Sequence, residues 1–359
     1  MAYYLIIFNM LIWIFVCTYG CYKEKISNVQ CKTLFLFANF LILALCAGLR
    51  NISVGSDTHS YAKHYIVICH SSLKDILSNF KFYGMEIGYN LLCKLISYIS
   101  PNYYFFQIIV CFLFCFGMMR FIKKNAINPL LSVSVFLGSG MYLYSFNILR
   151  QMLAVMLVAN AWEYLKSKKY FRYISIVLIA TTFHITALSF FVSFIIYSLW
   201  KYRKLRKYIV LGILFTGLEY ERILIFLTPI LKRFYNYGNY LVNDRAKQTA
   251  GFVTIFWIII LVMALIELLY KNEQGSSKNL YSVFSIITVV CNFIGLHFNY
   301  VDRIGFFFMP FWILLFDNFY FIIANKIIKT IYLCGTITCM LIYFIISSGT
   351  TQHIYSLCF

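Results

Sequence analysis

The sequence predicts an all-α, polytopic integral membrane protein with about 12 transmembrane helices and one interfacial or re-entrant helix. Of its 359 residues, 62% are hydrophobic and only 12% are charged. The mean hydropathy is +0.79, and apolar runs that approach the roughly 20 residues needed to cross a bilayer recur along the chain. No polar segment is long enough to form a separate soluble domain. We therefore expect one integral membrane domain over residues 1–359.

The net charge of +19 does not indicate nucleic-acid binding. In a membrane protein, basic residues gather in short cytoplasmic connections and against anionic lipid. The 12 cysteines mostly fall inside apolar runs and show no CxxC or Cys/His metal spacing. The sequence therefore predicts no disulfide framework, no metal site and no cofactor.

Apolar runs alternate with short basic connections, and this alternation gives the predicted helices and their orientation. Lys23, Lys25 and Lys32 follow the first run, so the positive-inside rule places the N-terminus outside the cell. The predicted spans cover residues 2–19, 33–49, 103–119, 130–146, 150–165, 173–183, 184–200, 208–218, 252–270, 280–296, 304–323 and 331–346.

Two longer connections, at about 50–102 and 219–251, are predicted to be external. Within the first, Glu86–Ser100 has too short an apolar part for a span and carries Lys94 in its middle, which favours an interfacial or re-entrant helix. The second holds another interfacial-looking segment, Ile223–Leu231. The run Tyr173–Trp200 is long for one span and short for two. We predict two short helices that meet externally at His184.

The stretch from Asn147 to His184 carries the most unusual polar residues. Arg150 is predicted to stand at the external start of a membrane helix that Asn147 could cap. An arginine at the positive end of a helix dipole makes a local anion site. The alternative is an interfacial arginine that only snorkels to the headgroup level.

Three arginines differ from the other basic residues, because each stands at a helix end that is predicted to lie on the external face. Arginine binds phosphate through two parallel hydrogen bonds and keeps its charge, so three of them indicate a site for a phosphorylated or diphosphate ligand at the lipid boundary. No DxD motif or acidic cluster indicates Mg²⁺. The residues that the topology brings to this face are Arg50, Arg150, Arg303, Asp57, His184 and Asp302.

Asp57 and His184 each allow two interpretations. Asp57 could be a general base, or it could simply form the turn Gly55-Ser56-Asp57-Thr58 and cap the helix after it. His184 could accept a proton or bind phosphate or sugar, or it could be an interfacial histidine satisfied by a backbone carbonyl.

Four short motifs, in order and spacing, resemble the EpsG family of bacterial exopolysaccharide proteins, which is related to Wzy-type repeat-unit polymerases. They are Arg50-(x)4-Gly55-x-Asp57-(x)3-Tyr61, Glu86-x-Gly88-Tyr89, Asn147-x-x-Arg150-Gln151-x-x-Ala154 and Phe183-His184-x-x-Ala187-Leu188. The resemblance covers roughly residues 30–200, and the C-terminal half agrees by topology and by Asp302-Arg303. In the family's histidine element another polar residue often follows, whereas here Ile185 and Thr186 stand before Ala187.

The resemblance implies a lipid-linked glycosyltransferase in the bacterial inner (cytoplasmic) membrane, and the lack of an acidic metal motif in the sequence predicts that it is metal-independent. A glycan on undecaprenyl diphosphate would be transferred to a repeat unit on the same lipid, and undecaprenyl diphosphate would leave. Membrane lipid and other polysaccharide-assembly proteins are the further expected partners. The resemblance implies catalytic roles for Arg150, Asp57 and His184. Arg150 and Arg303 would bind the diphosphate, and Arg50 would bind the second lipid-linked substrate. The other implied substrate-binding residues are Gln151, Tyr61, Glu86 and Asp302.

Two other functions fit a chain of this class. A flippase for lipid-linked sugars also needs cations for a diphosphate, but a transporter should carry polar residues at mid-membrane depth. Here Glu267 and Asp317 lie near the other end of their predicted spans. A membrane O-acyltransferase acting on the polysaccharide would use His184 as its central residue and leave the arginines incidental.

Overall fold

The computed structural model describes residues 2–22, 28–78, 81–223, 251–270, 279–298, 301–349 and 354–358. These residues form two compact units. The first unit comprises residues 1–187 and 323–359, and the second comprises residues 188–322. Most of the predicted Ile223–Leu231 segment, and most of the external loop at 219–251, lie outside the described residues.

The first unit is helical apart from one short hairpin. Its elements are α1 (Ala2–Tyr22), α2 (Asn28–Gly48), α3 (Thr58–His70), α4 (Leu73–Leu77), β1 (Lys81–Phe82), β2 (Met85–Glu86), α5 (Ile87–Ser97), α6 (Tyr103–Asn125), α7 (Pro129–Gly138), α8 (Met141–Asn147), α9 (Leu149–Lys166), α10 (Tyr170–Phe183) and α17 (Lys326–Ser348). Asparagine side chains cap the starts of several helices. Asn102 accepts the backbone N–H of Tyr104 at the start of α6, and Asn128, directly before Pro129, accepts the backbone N–H of Leu131 in α7.

The second unit is also helical over the residues described. A 3₁₀ helix (Ile185–Phe190) leads into it, and its helices are α11 (Phe191–Trp200), α12 (Arg203–Leu218), α13 (Gly251–Leu269), α14 (Asn279–His297), α15 (Asp302–Gly305) and α16 (Phe311–Ile322). Two polar residues pair in its interior, where the buried Asn318 amide donates a hydrogen bond to the buried Glu267 carboxylate.

Four described helices are long and apolar enough to cross a membrane, and a fifth is added if the bent pair α7–α8 is one span. The four are Val29–Gly48, Tyr103–Asn125, Asn279–His297 and Lys326–Ser348. Shorter apolar helices account for many of the other predicted spans, including Tyr170–Phe183 and Phe311–Ile322. A polytopic all-α membrane protein is therefore confirmed, and the count of twelve spans is not.

Two predicted straight spans are broken. The span predicted at 130–146 bends by 42° between α7 and α8, where Gly140 has a φ of 86° that favours glycine. The span predicted at 304–323 consists of the single turn α15 and then α16, with Pro310 directly before α16. Proline lacks the N–H that a continuous helix needs and clashes with the preceding turn, which explains the interruption.

The break predicted at His184 is confirmed. Helix α10 ends at Phe183, and His184 has an extended backbone (φ −156°, ψ 118°) before the 3₁₀ helix begins. Helix α5 has 11 residues, or about 16 Å of axial rise, roughly half the thickness of the hydrocarbon core. Its length agrees with the prediction that this segment does not span.

The C-terminal segment contributes to the first unit in a way that the sequence did not indicate. Residues 356–358 pair with the end of α2, through Asn51 N–H to the Ser356 carbonyl (2.8 Å) and Cys358 N–H to the Leu49 carbonyl (3.0 Å). The Tyr355 hydroxyl also donates to the Cys46 carbonyl at 3.0 Å. This pairing fixes the start of the connection that carries Gly55 and Asp57.

Candidate functional site

Arg150 is the centre of a polar cluster in the first unit. Its Nη1 pairs with the carboxylate of Glu86, and Tyr61 hydrogen-bonds to its guanidinium. Arginine has no acceptor atom, so the Tyr61 oxygen accepts. The guanidinium also lies over the Tyr89 ring, 6.0 Å from its centroid. The Arg150 side chain keeps 21% of its exposure, whereas Glu86 keeps only 4%. The cation is thus anchored from the protein side and remains partly accessible.

Glu86 is held by the short hairpin that precedes α5. The hairpin pairs Lys81 with Glu86 and Phe82 with Met85. Its two turn residues, Tyr83 and Gly84, have φ values of 50° and 74°, as a tight type I′ turn requires. Glu86 therefore ends a strand and occupies the N-cap position of α5. Its carboxylate makes no capping bond there and is directed to Arg150.

Asn147 connects the start of the arginine helix to the Gly55–Asp57 turn. Its Oδ1 accepts the backbone N–H of Ser56 at 2.8 Å, and the Thr58 hydroxyl donates to the Phe146 carbonyl at 3.1 Å. Gly55 has a φ of 97°, and a Cβ there would lie 2.7 Å from the Phe146 carbonyl oxygen. The prediction that Asn147 caps α9 is wrong, because Ile148 occupies the N-cap position and Asn147 ends α8. The amide serves the neighbouring loop instead.

Asp57 occupies the N-cap position of α3, one turn before Tyr61. Its side chain makes no capping hydrogen bond, although the Ser56 hydroxyl donates to Oδ1 at 3.1 Å. The side chain is half-exposed. The simple capping role considered from the sequence is therefore absent at Asp57, and its carboxylate is accessible on the same helix as Tyr61.

His184 follows α10, and α10 packs closely against α5. A Cβ at Gly88 would overlap the Thr182 side chain and would lie 2.8 Å from the Thr182 carbonyl oxygen. Only glycine permits this approach, which joins the Glu86 motif to the histidine motif. His184 is buried, and its Nδ1 lies 2.6 Å from the Thr186 hydroxyl. Thr186, two residues after His184, thus gives the histidine ring a polar partner.

Arg50 lies in the interior and not at an exposed helix end. Its side chain is fully buried, with Nη1 donating to the Ala47 carbonyl and lying 3.3 Å from Cys111 Sγ. The guanidinium also stacks 4.5 Å from the centroid of the Phe146 ring. These contacts hold the turn after α2 against α6 and α8. Binding of a second substrate by Arg50 stays a prediction.

The remaining predicted residues divide between the two units. Gln151 follows Arg150 on α9 and is buried. Asp302 and Arg303 belong to the second unit, where the Asp302 carboxylate accepts the Arg303 backbone N–H at 3.0 Å in α15. A diphosphate shared by Arg150 and Arg303 stays a prediction.

Burial and the arginine cation together set the protonation of the ring side chains near the site. Burial lowers the pKa of His64 and the Arg150 cation lowers it further, against a hydrogen bond to Asn90 that raises it, so His64 is neutral at pH 7. Burial raises the pKa of Tyr61, although Arg150 opposes the shift. Tyr61 therefore remains a phenol and offers Arg150 a neutral oxygen.

The EpsG family model matches residues 33–357. The chain belongs to the EpsG family. No curated protein and no solved structure matches the chain significantly. Family membership, together with the apolar helices, supports a membrane protein of the polysaccharide-polymerase type.

In this EpsG protein the four motifs that carry the resemblance are joined by direct contacts. Arg150 meets Glu86 and Tyr61, Asn147 meets the Gly55 turn, and Gly88 meets the turn before His184. Within the ranges that the structure describes, no three His, Cys, Asp or Glu side chains lie close enough together to hold a metal ion.

Two residues near the Arg150 cluster carried too weak a sequence signal to be predicted as site residues. His64 Nε2 lies 2.6 Å from Asn90 Oδ1, and both residues are buried. The available signal was helical spacing: His64 follows Tyr61 by one turn on α3, and Asn90 follows Glu86 by one turn on α5.

Proposed function

We propose that this protein is a membrane glycosyltransferase that polymerises undecaprenyl-diphosphate-linked repeat units on the external face of the bacterial cytoplasmic membrane. The observation that supports this most strongly is the convergence on Arg150. One partly exposed guanidinium is anchored by Glu86 and Tyr61, with Asp57 one turn before Tyr61 on the same helix. This arrangement provides a cation for a diphosphate and an accessible carboxylate for a hydroxyl.

The proposed reaction transfers the growing glycan to a new repeat unit. The acceptor hydroxyl attacks the anomeric carbon of the lipid-linked donor and forms the new C–O bond. The bond from that carbon to the diphosphate oxygen breaks, and undecaprenyl diphosphate leaves with the electron pair. Negative charge grows on the departing oxygen, where a preorganised arginine stabilises the transition state most effectively. The proton of the acceptor hydroxyl passes to a protein base.

Arg150 suits the diphosphate because its side chain is held in place before the ligand arrives. Glu86 is nearly fully buried and contacts one Nη atom, and arginine carries five N–H donors. A fixed guanidinium loses less side-chain entropy on binding than a free surface arginine. The ion pair also lowers the local net charge, so the site need not hold an isolated cation when it is empty.

Asp57 is the favoured base and His184 the alternative. The Asp57 carboxylate is half-exposed and free of a capping role. His184 is mostly buried, and one of its ring nitrogens is engaged by Thr186. These surroundings suit Asp57 for proton transfer from a bound hydroxyl and His184 for holding a substrate oxygen.

The test is the fate of lipid-linked repeat units in a strain that lacks this protein. A missing polymerase leaves single units displayed on the outer face, and restoring the chain returns long polymer. A missing flippase would leave the single units on the inner face. A missing O-acyltransferase would leave full-length chains that lack acyl groups. Either of the last two patterns would contradict the proposal.

A further inference from the structure

We infer that His64 and Asn90 are positioning residues for the arginine site: together they fix the hairpin that presents Glu86 to Arg150. The inference rests on the proposed function, because it assigns these two residues to the same site. Neither side chain has a role in the reaction proposed above, and both are buried polar groups that sequence reasoning did not select.

Asn90 closes the hairpin from the first turn of α5. Its amide Nδ2 donates to the Phe82 carbonyl at 3.2 Å and to the Met85 carbonyl at 2.8 Å. These two carbonyls belong to the paired residues on either side of the turn. A two-residue strand pair is weak by itself, so the asparagine supplies bonds that the hairpin lacks. Glu86 follows Met85 directly, and its position is therefore tied to the Asn90 amide.

His64 fixes the orientation of that amide. Because Asn90 Nδ2 faces two carbonyl acceptors, its Oδ1 is the atom that faces His64 Nε2 at 2.6 Å. An oxygen acceptor requires the histidine to donate, so neutral His64 carries its proton on Nε2. His64 thereby joins α3 to α5 and to the hairpin through one hydrogen bond.

Tyr89 connects His64 to the arginine through ring contacts. The His64 ring stacks on the Tyr89 ring, with centroids 6.1 Å apart, and Tyr89 lies 5.8 Å from the Tyr61 ring. The Arg150 guanidinium lies over the same Tyr89 ring. His64, Asn90 and Glu86 therefore form one side of a closed set of contacts around Arg150. Loosening the hairpin should move Glu86 and release the arginine from its fixed position.

The experiment compares two replacements at position 64 in the full-length protein. His64→Phe keeps an aromatic ring on Tyr89 but removes the donor. His64→Gln restores an N–H donor where Nε2 stood. His70→Phe is the matched control, because His70 is on the same helix and exposed. Hydrogen exchange of residues 81–86 is measured on detergent-purified protein, and polymer is measured in cells at equal membrane abundance.

We expect His64→Phe to speed hairpin exchange roughly tenfold, as loss of one buried hydrogen bond implies, and to reduce polymer with accumulation of single repeat units. His64→Gln should restore both, and His70→Phe should change neither. If the His64→Phe protein is absent from the membrane, Asn90→Asp tests the same contacts. This variant keeps the oxygen that faces His64 and removes the N–H donors to the Phe82 and Met85 carbonyls.

Three results would separate the possible failures. Unchanged exchange at 81–86 in His64→Phe overturns the inference, whatever the polymer does. Faster exchange with normal polymer also overturns it, provided that Arg150→Ala abolishes polymer, and in that case the proposed function stands. Normal polymer from Arg150→Ala overturns the proposed function itself.

Discussion

At the residue scale, the positions of the charged side chains decide which of them can act on a substrate. Arg50 and Arg150 look alike in the sequence, since each stands at a helix end beside an apolar run. In the structure Arg50 is fully buried against Phe146 and Cys111, whereas Arg150 remains partly exposed beside a carboxylate. Sequence alone could not separate them, because the difference arises from packing: α6 and α8 enclose the Arg50 guanidinium, whereas Arg150 lies beside α3 and α5.

Asp57→Asn separates a base from a residue that only accepts the Ser56 hydroxyl. The amide oxygen of asparagine can accept the same hydrogen bond, so a purely structural Asp57 predicts a silent change. We expect instead a loss of polymer of at least about a hundredfold, the lower end of what general-base catalysis contributes. The measurement is polymer yield and single-unit accumulation at matched membrane abundance. Full-length polymer from Asp57→Asn would transfer the role of base to His184.

At the element scale, close contacts between helices position the motifs, and some of these contacts require a glycine because no side chain would fit. The break at His184 could be predicted because the run Tyr173–Trp200 fits neither one span nor two. The bend at Gly140 and the break before Pro310 were missed, since apolar composition continues through both. The hairpin at 81–86 was also missed. Its turn residues are Tyr83 and Gly84, and only Gly84 belongs to the residue types that usually mark such a turn.

Gly88→Ala should displace α5 from α10. The added Cβ would overlap Thr182 and meet its carbonyl oxygen at 2.8 Å, so the helix must shift, and Glu86 lies two residues away. Gly335→Ala is the matched control, because that helical glycine has open space around its Cβ position, and alanine should stabilise the helix there by up to about 1 kcal/mol. We expect polymer loss with Gly88→Ala only. Equal polymer from both variants, measured at equal membrane abundance, would contradict the role assigned to this contact.

At the scale of the whole molecule, the class and the family were predictable and the span count was not. Composition predicts a polytopic helical membrane protein. Four ordered motifs within roughly residues 30–200 predict the family whose model matches residues 33–357. Counting spans from apolar runs fails where a helix is short or bent, as in α7–α8 and α16. The pairing of the C-terminal segment with Leu49 and Asn51 joins residues about 300 positions apart, and no local pattern reveals such a contact.

Reporter fusions test the orientation on which the shared external site depends. The basic residues between α9 and α10, and those around the start of α12, predict that both connections are cytoplasmic. A reporter active only outside should therefore be silent at Lys168 and at Lys204. The same reporter should be active at Ser71, which follows α3. Activity at Lys168 would place the Arg150 end of α9 on the cytoplasmic side and would overturn the shared external site.

The central claim is that Arg150 binds the diphosphate and does not merely neutralise Glu86. Removing either partner alone is ambiguous, because a buried charge left unpaired is itself destabilising. The double variant Glu86→Gln/Arg150→Gln removes both charges and retains hydrogen-bonding groups at both positions. If the pair is only structural, the double variant should regain the polymer that each single variant loses.

The decisive measurement is therefore the polymer made by that double variant at wild-type membrane abundance. We predict that abundance is maintained while polymerisation stays reduced by about a hundredfold, which corresponds to roughly 3 kcal/mol of lost transition-state stabilisation. Arg150→Lys should behave similarly, since lysine keeps the charge and loses the two-pronged contact. Normal polymer from the double variant would contradict the claim and leave Arg150 as half of a structural ion pair.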